Sequence, residues 1–190
     1  GHLTVDGSPF MAAKVILATG SRPHLPSIPG INTIDTLDST TALDLTELPA
    51  SMLVVGAGYI GVELAQMFAR AGVAVTLVSR RGVLPEAEPE VSEALEGYLS
   101  EENIALVRVQ SYDSIKADPK GVCLHVTTAT GQEQLVSERL VVATGRVPNS
   151  DSLNIAAAGV SANHRGGIWV DAQMRTSNPD VWAAGDVTGR

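Results

Sequence analysis

Short unbroken apolar runs alternate along the chain with stretches whose apolar residues recur every three or four positions, the pattern of strands alternating with helices. Ser51-Met52-Leu53-Val54-Val55 is a continuous run of the kind that a parallel sheet buries on both faces. From Tyr59 the period changes. Ile60, Leu64, Met67, Phe68 and Ala71 predict a helix with one face on the sheet, stopped at Gly72. Val73 to Val78 predicts the next strand, and Pro89 suits the first turn of a second helix with Val91, Leu95, Tyr98 and Leu99 as its apolar stripe. Ile104 to Val109 closes a βαβαβ series.

On the amino-terminal side, Ala13 to Ala18 reads as a buried strand, preceded by a short strand at Leu3-Thr4-Val5 and an Asp6-Gly7 turn. Ser21 to Pro29 carries Pro23, Pro26 and Pro29, so it is expected to be a crossing linker, with a short helix at Thr40 to Leu45. On the other side, Tyr112 to Val136 alternates apolar and polar residues around Gly121 and Gly131 and predicts antiparallel strands. Leu140-Val141-Val142-Ala143 returns to a buried strand. A strand followed by Ala-Thr-Gly therefore occurs twice, at Ala18 and at Ala143, and this bracketing predicts an inserted domain.

Composition narrows the function classes. The 190 residues, 44% of them hydrophobic and punctuated by 18 Gly and 10 Pro, suit one full core and part of a second. No apolar run approaches the roughly 18 residues of a membrane span. Thirteen basic against twenty-one acidic side chains give a net charge of -8, which disfavours nucleic acid as a partner. The single cysteine, Cys123, excludes an internal disulfide and a CxxC pair within the chain. It is expected to be a small core residue sharing a face with His125. His2, His24 and His164 lack ligand spacing, so no metal site and no catalytic residue is assigned. No basic, apolar leader is present and a cytoplasmic location is expected. The chain starts at Gly1 and reads as an internal segment of a longer protein.

Candidate chemistry enters at Gly56-Ala57-Gly58-Tyr59-Ile60-Gly61. These residues follow one predicted strand and open a helix, the context in which a GxGxxG binds the pyrophosphate of a dinucleotide. Gly56 is expected to allow the tight turn, Gly58 the approach of the pyrophosphate and Gly61 close helix–strand packing, with the helix N-terminus facing the phosphates. A ligand-free glycine turn is the alternative. After the next strand, the acidic residue that would hold the ribose 2′-hydroxyl of NAD is replaced by Ser79-Arg80-Arg81. Two guanidiniums and a hydroxyl suit a 2′-phosphate and so NADP(H), unless the arginines are only a solvated pair.

These residues resemble the pyridine nucleotide-disulfide oxidoreductases, flavoenzymes that include dihydrolipoamide dehydrogenase and glutathione reductase. The resemblance rests on Ala18-Thr19-Gly20-Ser21-Arg22-Pro23, Gly56 through Glu63, Ala143-Thr144-Gly145-Arg146-Val147-Pro148-Asn149 and Ala184-Gly185-Asp186. Met174 to Pro179 and the helix residues Val62 to Gln66 are most similar to the mercuric reductases within it. The resemblance implies that Tyr59 covers the flavin, that Glu63 approaches the nicotinamide carboxamide, that Asp186 binds the flavin ribityl chain with Thr19 and Gly20 nearby, and that Gly145 lies at the dinucleotide site. It implies a Rossmann-type doubly wound α/β sheet with an antiparallel β insertion, flanked by partial segments of an FAD-binding domain. The expected division is 1–48 as the end of the FAD-binding domain and a linker, 49–145 as the NAD(P)-binding domain, and 146–190 as a return segment. The expected function is the NADPH-binding portion of an enzyme passing hydride through FAD to a cysteine pair outside this chain, with mercuric ion as favoured acceptor. The parent is expected to be a homodimer, and the segment alone an inactive monomer. A dihydrolipoamide dehydrogenase-like or glutathione reductase-like enzyme and a non-catalytic NADP-binding module are the alternatives.

Overall fold

Parallel neighbours need a long crossover between them, and the two helices predicted between the apolar runs supply it. The computed structural model describes residues 2–190. In chain order these form β1 (His2–Val5), β2 (Ser8–Met11), β3 (Val15–Leu17), β4 (Ser21–Pro23), β5 (Ser51–Val55), α1 (Tyr59–Arg70), β6 (Ala74–Ser79) and α2 (Pro89–Glu101). There follow β7 (Ala105–Arg108), β8 (Ser111–Asp118), β9 (Gly121–Thr128), β10 (Gly131–Ser137), β11 (Arg139–Val142), β12 (Arg146–Pro148) and β13 (Val181–Ala183). The chain divides into two compact units, one made of the residues up to Arg22 together with Arg146–Arg190, the other of Pro23–Gly145.

The continuous unit is built on a four-stranded parallel sheet of order β11-β5-β6-β7. The apolar run of β5 is unbroken because both faces of the strand are buried. Met52 and Val54 enter a core with Leu64, Ala65 and Phe68 of α1 and with Leu99 of α2. Leu53 and Val55 enter a second core with Ile115, Leu124, Val126, Leu140 and Val142. Each of these side chains larger than alanine stabilises the fold by roughly 1.5–3 kcal/mol. The helices thus cover one face of the sheet. The antiparallel meander β10-β9-β8 covers the other, so the expected β insertion serves as the third layer.

Three expectations are corrected here. Residues 23–48 belong to this unit, so the boundary falls at Arg22 rather than at 48. Ile28 and Ile31 are buried in the meander-side core, and Leu37 exchanges backbone hydrogen bonds of 2.8 and 2.7 Å with Leu140 and Val142. Thr40 to Leu45 forms turns instead of a helix. The Asp38 carboxylate accepts from the Thr40 and Thr41 amides at 2.8 and 2.9 Å, and only Ala42 and Leu45 turn inward while Leu43 is exposed, too short an apolar face to sustain a helix. In α2, Leu99 is buried and Leu95 partly so, but Val91 and Tyr98 are exposed. The inward face runs through Ser92, Leu95, Glu96 and Leu99, because Ser92 bonds the Leu84 carbonyl at 3.1 Å and Glu96 pairs with Arg108.

The discontinuous unit holds the hairpin β1–β2, whose Asp6-Gly7 turn has positive φ at both residues, 49° and 78°, as two-residue hairpin loops require. β3 pairs in parallel with β13, and Ser21–Pro23, expected to be linker, forms the short strand β4 beside β12. Val160, Ile168, Val170, Val181, Ala183 and Val187 make its core. No helix among the described residues is long and apolar enough to cross a membrane.

Candidate dinucleotide-binding site

In the sheet order β11-β5-β6-β7 the chain runs outward from β5 to β7 and then returns to the far side of β5. Strand order therefore reverses between β5 and β11, and the crevice beyond their carboxyl ends is where open α/β sheets bind ligands. Gly56 follows β5 directly with φ at 107°, donating its amide to Val78 at 2.8 Å. A Cβ on Gly56 would collide with the Ala143 carbonyl, and a Cβ on Gly61 with the Gly56 carbonyl. The chain's own packing demands these two glycines. Gly58 differs: its backbone is extended, and a Cβ there would meet no atom of the chain within 4 Å. The open space beside Gly58 leaves its backbone accessible to a group from outside, such as a pyrophosphate.

Gly58 is also the N-cap of α1 and offers no side-chain cap, so the first amides of the helix, from Tyr59 through Gly61, can serve an anion. Ala57 is buried, and its carbonyl accepts the Leu84 amide at 2.8 Å, tying the glycine turn to the loop after β6. Ile60 packs against the helix-side core, while Tyr59, 64% exposed, and Glu63 lie one turn apart on the outer face. The Glu63 carboxylate makes no hydrogen bond or ion pair among the described residues. Gly145, with φ at 119°, lies three residues beyond β11, past the Ala143 whose carbonyl faces Gly56, and its own carbonyl accepts the His24 amide at 3.0 Å.

At the end of β6, the Ser79 hydroxyl donates to the Gly82 carbonyl at 2.9 Å and accepts the Arg81 amide at 3.2 Å, folding the loop that carries both arginines. The Arg80 guanidinium lies over the Tyr112 ring, 5.6 Å from its centroid, whereas Arg81 is paired with Glu86 at 2.7 Å. Beneath the loop, Glu96 accepts from Arg108 at 2.6 Å and from the Val83 amide at 3.4 Å. Sequence reasoning missed Tyr112, Glu86, Glu96 and Arg108. Arg108 was within reach, since parallel register sets it opposite Ser79. No sequence spacing joins Tyr112, on the antiparallel layer, to Arg80.

In the discontinuous unit the Asp186 carboxylate accepts from the Ser21 hydroxyl at 2.7 Å. Arg146 donates to that hydroxyl at 2.7 Å and to the Ser21 carbonyl at 2.6 Å. Thr19 donates to the Asn149 carbonyl at 2.8 Å, and the Gly20 carbonyl accepts the Asn149 amide at 3.0 Å. Arg22 grips Asp151 through two hydrogen bonds and holds its carboxyl below the usual range. Thr19 and Gly20 are thus held by Asn149, and Asp186 by Ser21, the two sets being joined through the consecutive residues Gly20 and Ser21. The second oxygen of Asp186 makes no hydrogen bond among the described residues, which fits a polyhydroxyl partner such as a ribityl chain.

Cys123 is buried with its sulfur 3.6 Å from His125 Nε2. Burial pushes its thiol up, with Asp118 adding to the effect and Lys116 opposing it, so it stays protonated and unreactive near neutrality.

Known proteins share this arrangement. The model of the family described as pyridine nucleotide-disulphide oxidoreductase matches residues 2–190. A mercuric reductase of Lysinibacillus sphaericus is 40% identical over 97% of this chain and 34% of its own length. A soluble pyridine nucleotide transhydrogenase of Pseudomonas putida (strain W619) is 37% identical over 94% of this chain and 38% of its own. The solved structure of the HOCl-induced flavoprotein disulfide reductase RclA from Escherichia coli superposes with a TM-score of 0.90 at 34% identity, covering 99% of this chain and 43% of that one. The chain therefore spans little more than a third of the curated relatives it matches. With motifs, strand order and glycine cradle in agreement across its length, the chain belongs to the pyridine nucleotide-disulphide oxidoreductase family.

Proposed function

We propose that this chain is the NADPH-binding portion of an FAD-dependent oxidoreductase, in which hydride passes from NADPH through FAD to a cysteine pair and then to an acceptor, mercuric ion being favoured. The observation that carries this reading is Gly58, whose missing side chain serves nothing within the chain. Residues 23–145 would bind the dinucleotide: the amides of Gly58 to Gly61 hold the pyrophosphate, and Arg80 and Arg81 meet a 2′-phosphate through charge-assisted hydrogen bonds. Tyr59 and Glu63, exposed on one face of α1, orient the nicotinamide end. In the other unit Asp186, fixed by Ser21 and Arg146, accepts hydrogen bonds from the flavin side chain beside Thr19 and Gly20. Mercuric ion is favoured because a relative named as mercuric reductase is 40% identical over nearly the whole chain.

Calorimetric titration with NADPH and NADH, on the parent and on an Arg80→Ala/Arg81→Ala double variant, tests the reading. Tighter binding of NADPH, lost in the variant, is expected. Equal binding of both dinucleotides, indifferent to the substitutions, refutes the NADPH assignment.

A further inference from the structure

The two arginines after β6 are not equivalent. Arg81 is paired with Glu86 at 2.7 Å, both side chains lying about two-thirds exposed at 69% and 71%. Arg80 has no carboxylate partner among the described residues and rests on the face of Tyr112. That ring is half-buried against the meander-side core, and its hydroxyl reaches the Val78 carbonyl at 3.4 Å. Its direction is set by a β-bulge: the register of β8 on β9 shifts between Tyr112 and Ser114. The intervening Asp113 is pinned by hydrogen bonds from Ser111 at 2.5 Å and Thr127 at 2.8 Å. Bulges re-aim side chains, and this one sends an aromatic ring under a guanidinium on a different layer.

Resting on the NADPH reading, we infer that Tyr112 is the positioning residue for dinucleotide choice, its ring holding Arg80 ready as the reader of the 2′-phosphate while Glu86 keeps Arg81 in a secondary role. A guanidinium on an aromatic face keeps its edge and its donors free for an anion, and a side chain already ordered loses less freedom when that anion arrives. Arg81 keeps donors beyond the Nη1 bonded to Glu86, but part of its charge is already answered by that carboxylate.

The test titrates the chain with NADPH and NADH for the parent, Arg80→Ala, Arg81→Ala, Tyr112→Leu and Tyr112→Phe, with a melting temperature for each. The preference for NADPH should fall about 10- to 100-fold in Arg80→Ala, and less than about threefold in Arg81→Ala. Tyr112→Leu should lower it about two- to fivefold with NADH affinity unchanged, and Tyr112→Phe, which keeps the ring, should restore it. Arg81→Ala losing as much as Arg80→Ala overturns the inference. So does Tyr112→Leu weakening both dinucleotides equally, or Tyr112→Phe behaving like Tyr112→Leu. If Tyr112→Leu does not fold, Tyr112→Met, which fills the space with a flexible side chain, takes its place. Loss of preference in the double arginine variant with none in the tyrosine variants sinks this inference alone; no preference in the parent sinks the NADPH reading and this one together.

Discussion

Gly58 and Gly61 stand three residues apart on one motif and answer to different forces. Because a Cβ on Gly61 would press into the Gly56 carbonyl, Gly61→Ala should destabilise the fold by about 1–3 kcal/mol in denaturant titrations. Gly58→Ala should leave stability within about 0.5 kcal/mol of the parent and yet weaken NADPH binding about tenfold or more by calorimetry. A Gly58→Ala variant that binds normally would remove the main support for a phosphate at that turn. The glycines and arginines were legible in the sequence because their chemistry is local: a turn, a helix start, a strand end. Tyr112 and Glu96 were not, since each meets the arginine loop from a separate part of the chain and nothing in spacing encodes that encounter; Glu86, five residues after Arg81, pairs with it through the fold of the loop itself.

Among elements, β5 and the bulge of β8 show what periodicity can and cannot reveal. The unbroken apolar run of Ser51–Val55 announced a strand buried on both faces, and it is one. The buried stripe of α2 is rotated from the one its periodicity predicts, because polar contacts of Ser92 and Glu96 turn the helix away from its own apolar residues, Val91 and Tyr98. The bulge was not visible, yet it has a pH signature. Hydrogen bonds from Ser111 and then Thr127 hold the Asp113 carboxyl below its ordinary value, with burial opposing and His125 adding slightly. A carboxyl lowered by folding contributes stability above its unfolded pKa and loses it as pH falls through the folded one. The stability gap between the parent and Asp113→Asn should therefore be full at pH 6 and shrink below about pH 4, as read from denaturation midpoints. A gap that stays constant down to pH 3 would contradict the bonding described here.

At the scale of the whole molecule, the chain presents apolar surface that a chain of this charge has no obvious reason to leave in water. In the discontinuous unit Val5, Phe10, Met11 and Ile16 are each more than half exposed, at 56, 58, 68 and 71%. A two-stranded ribbon such as β1–β2 is marginal by itself and needs something to pack on. Exposed apolar side chains of this size promote association. Sedimentation should show concentration-dependent self-association of the chain, reduced in Phe10→Ser/Met11→Ser; a strictly monomeric parent at high concentration would count against this reading.

The inserted unit begins and ends at one place. His24 donates its amide to Gly145 at 3.0 Å and its carbonyl accepts the Thr144 hydroxyl at 3.0 Å, so the two ends of the span meet through a pair of hydrogen bonds. To the surrounding chain, an entire layered unit is then no wider than a hairpin loop, and the entropy of closing that loop is met inside the insert. Such a cassette can be gained, exchanged or circularly permuted with little disturbance to its host, because the host need only offer two adjacent strand ends.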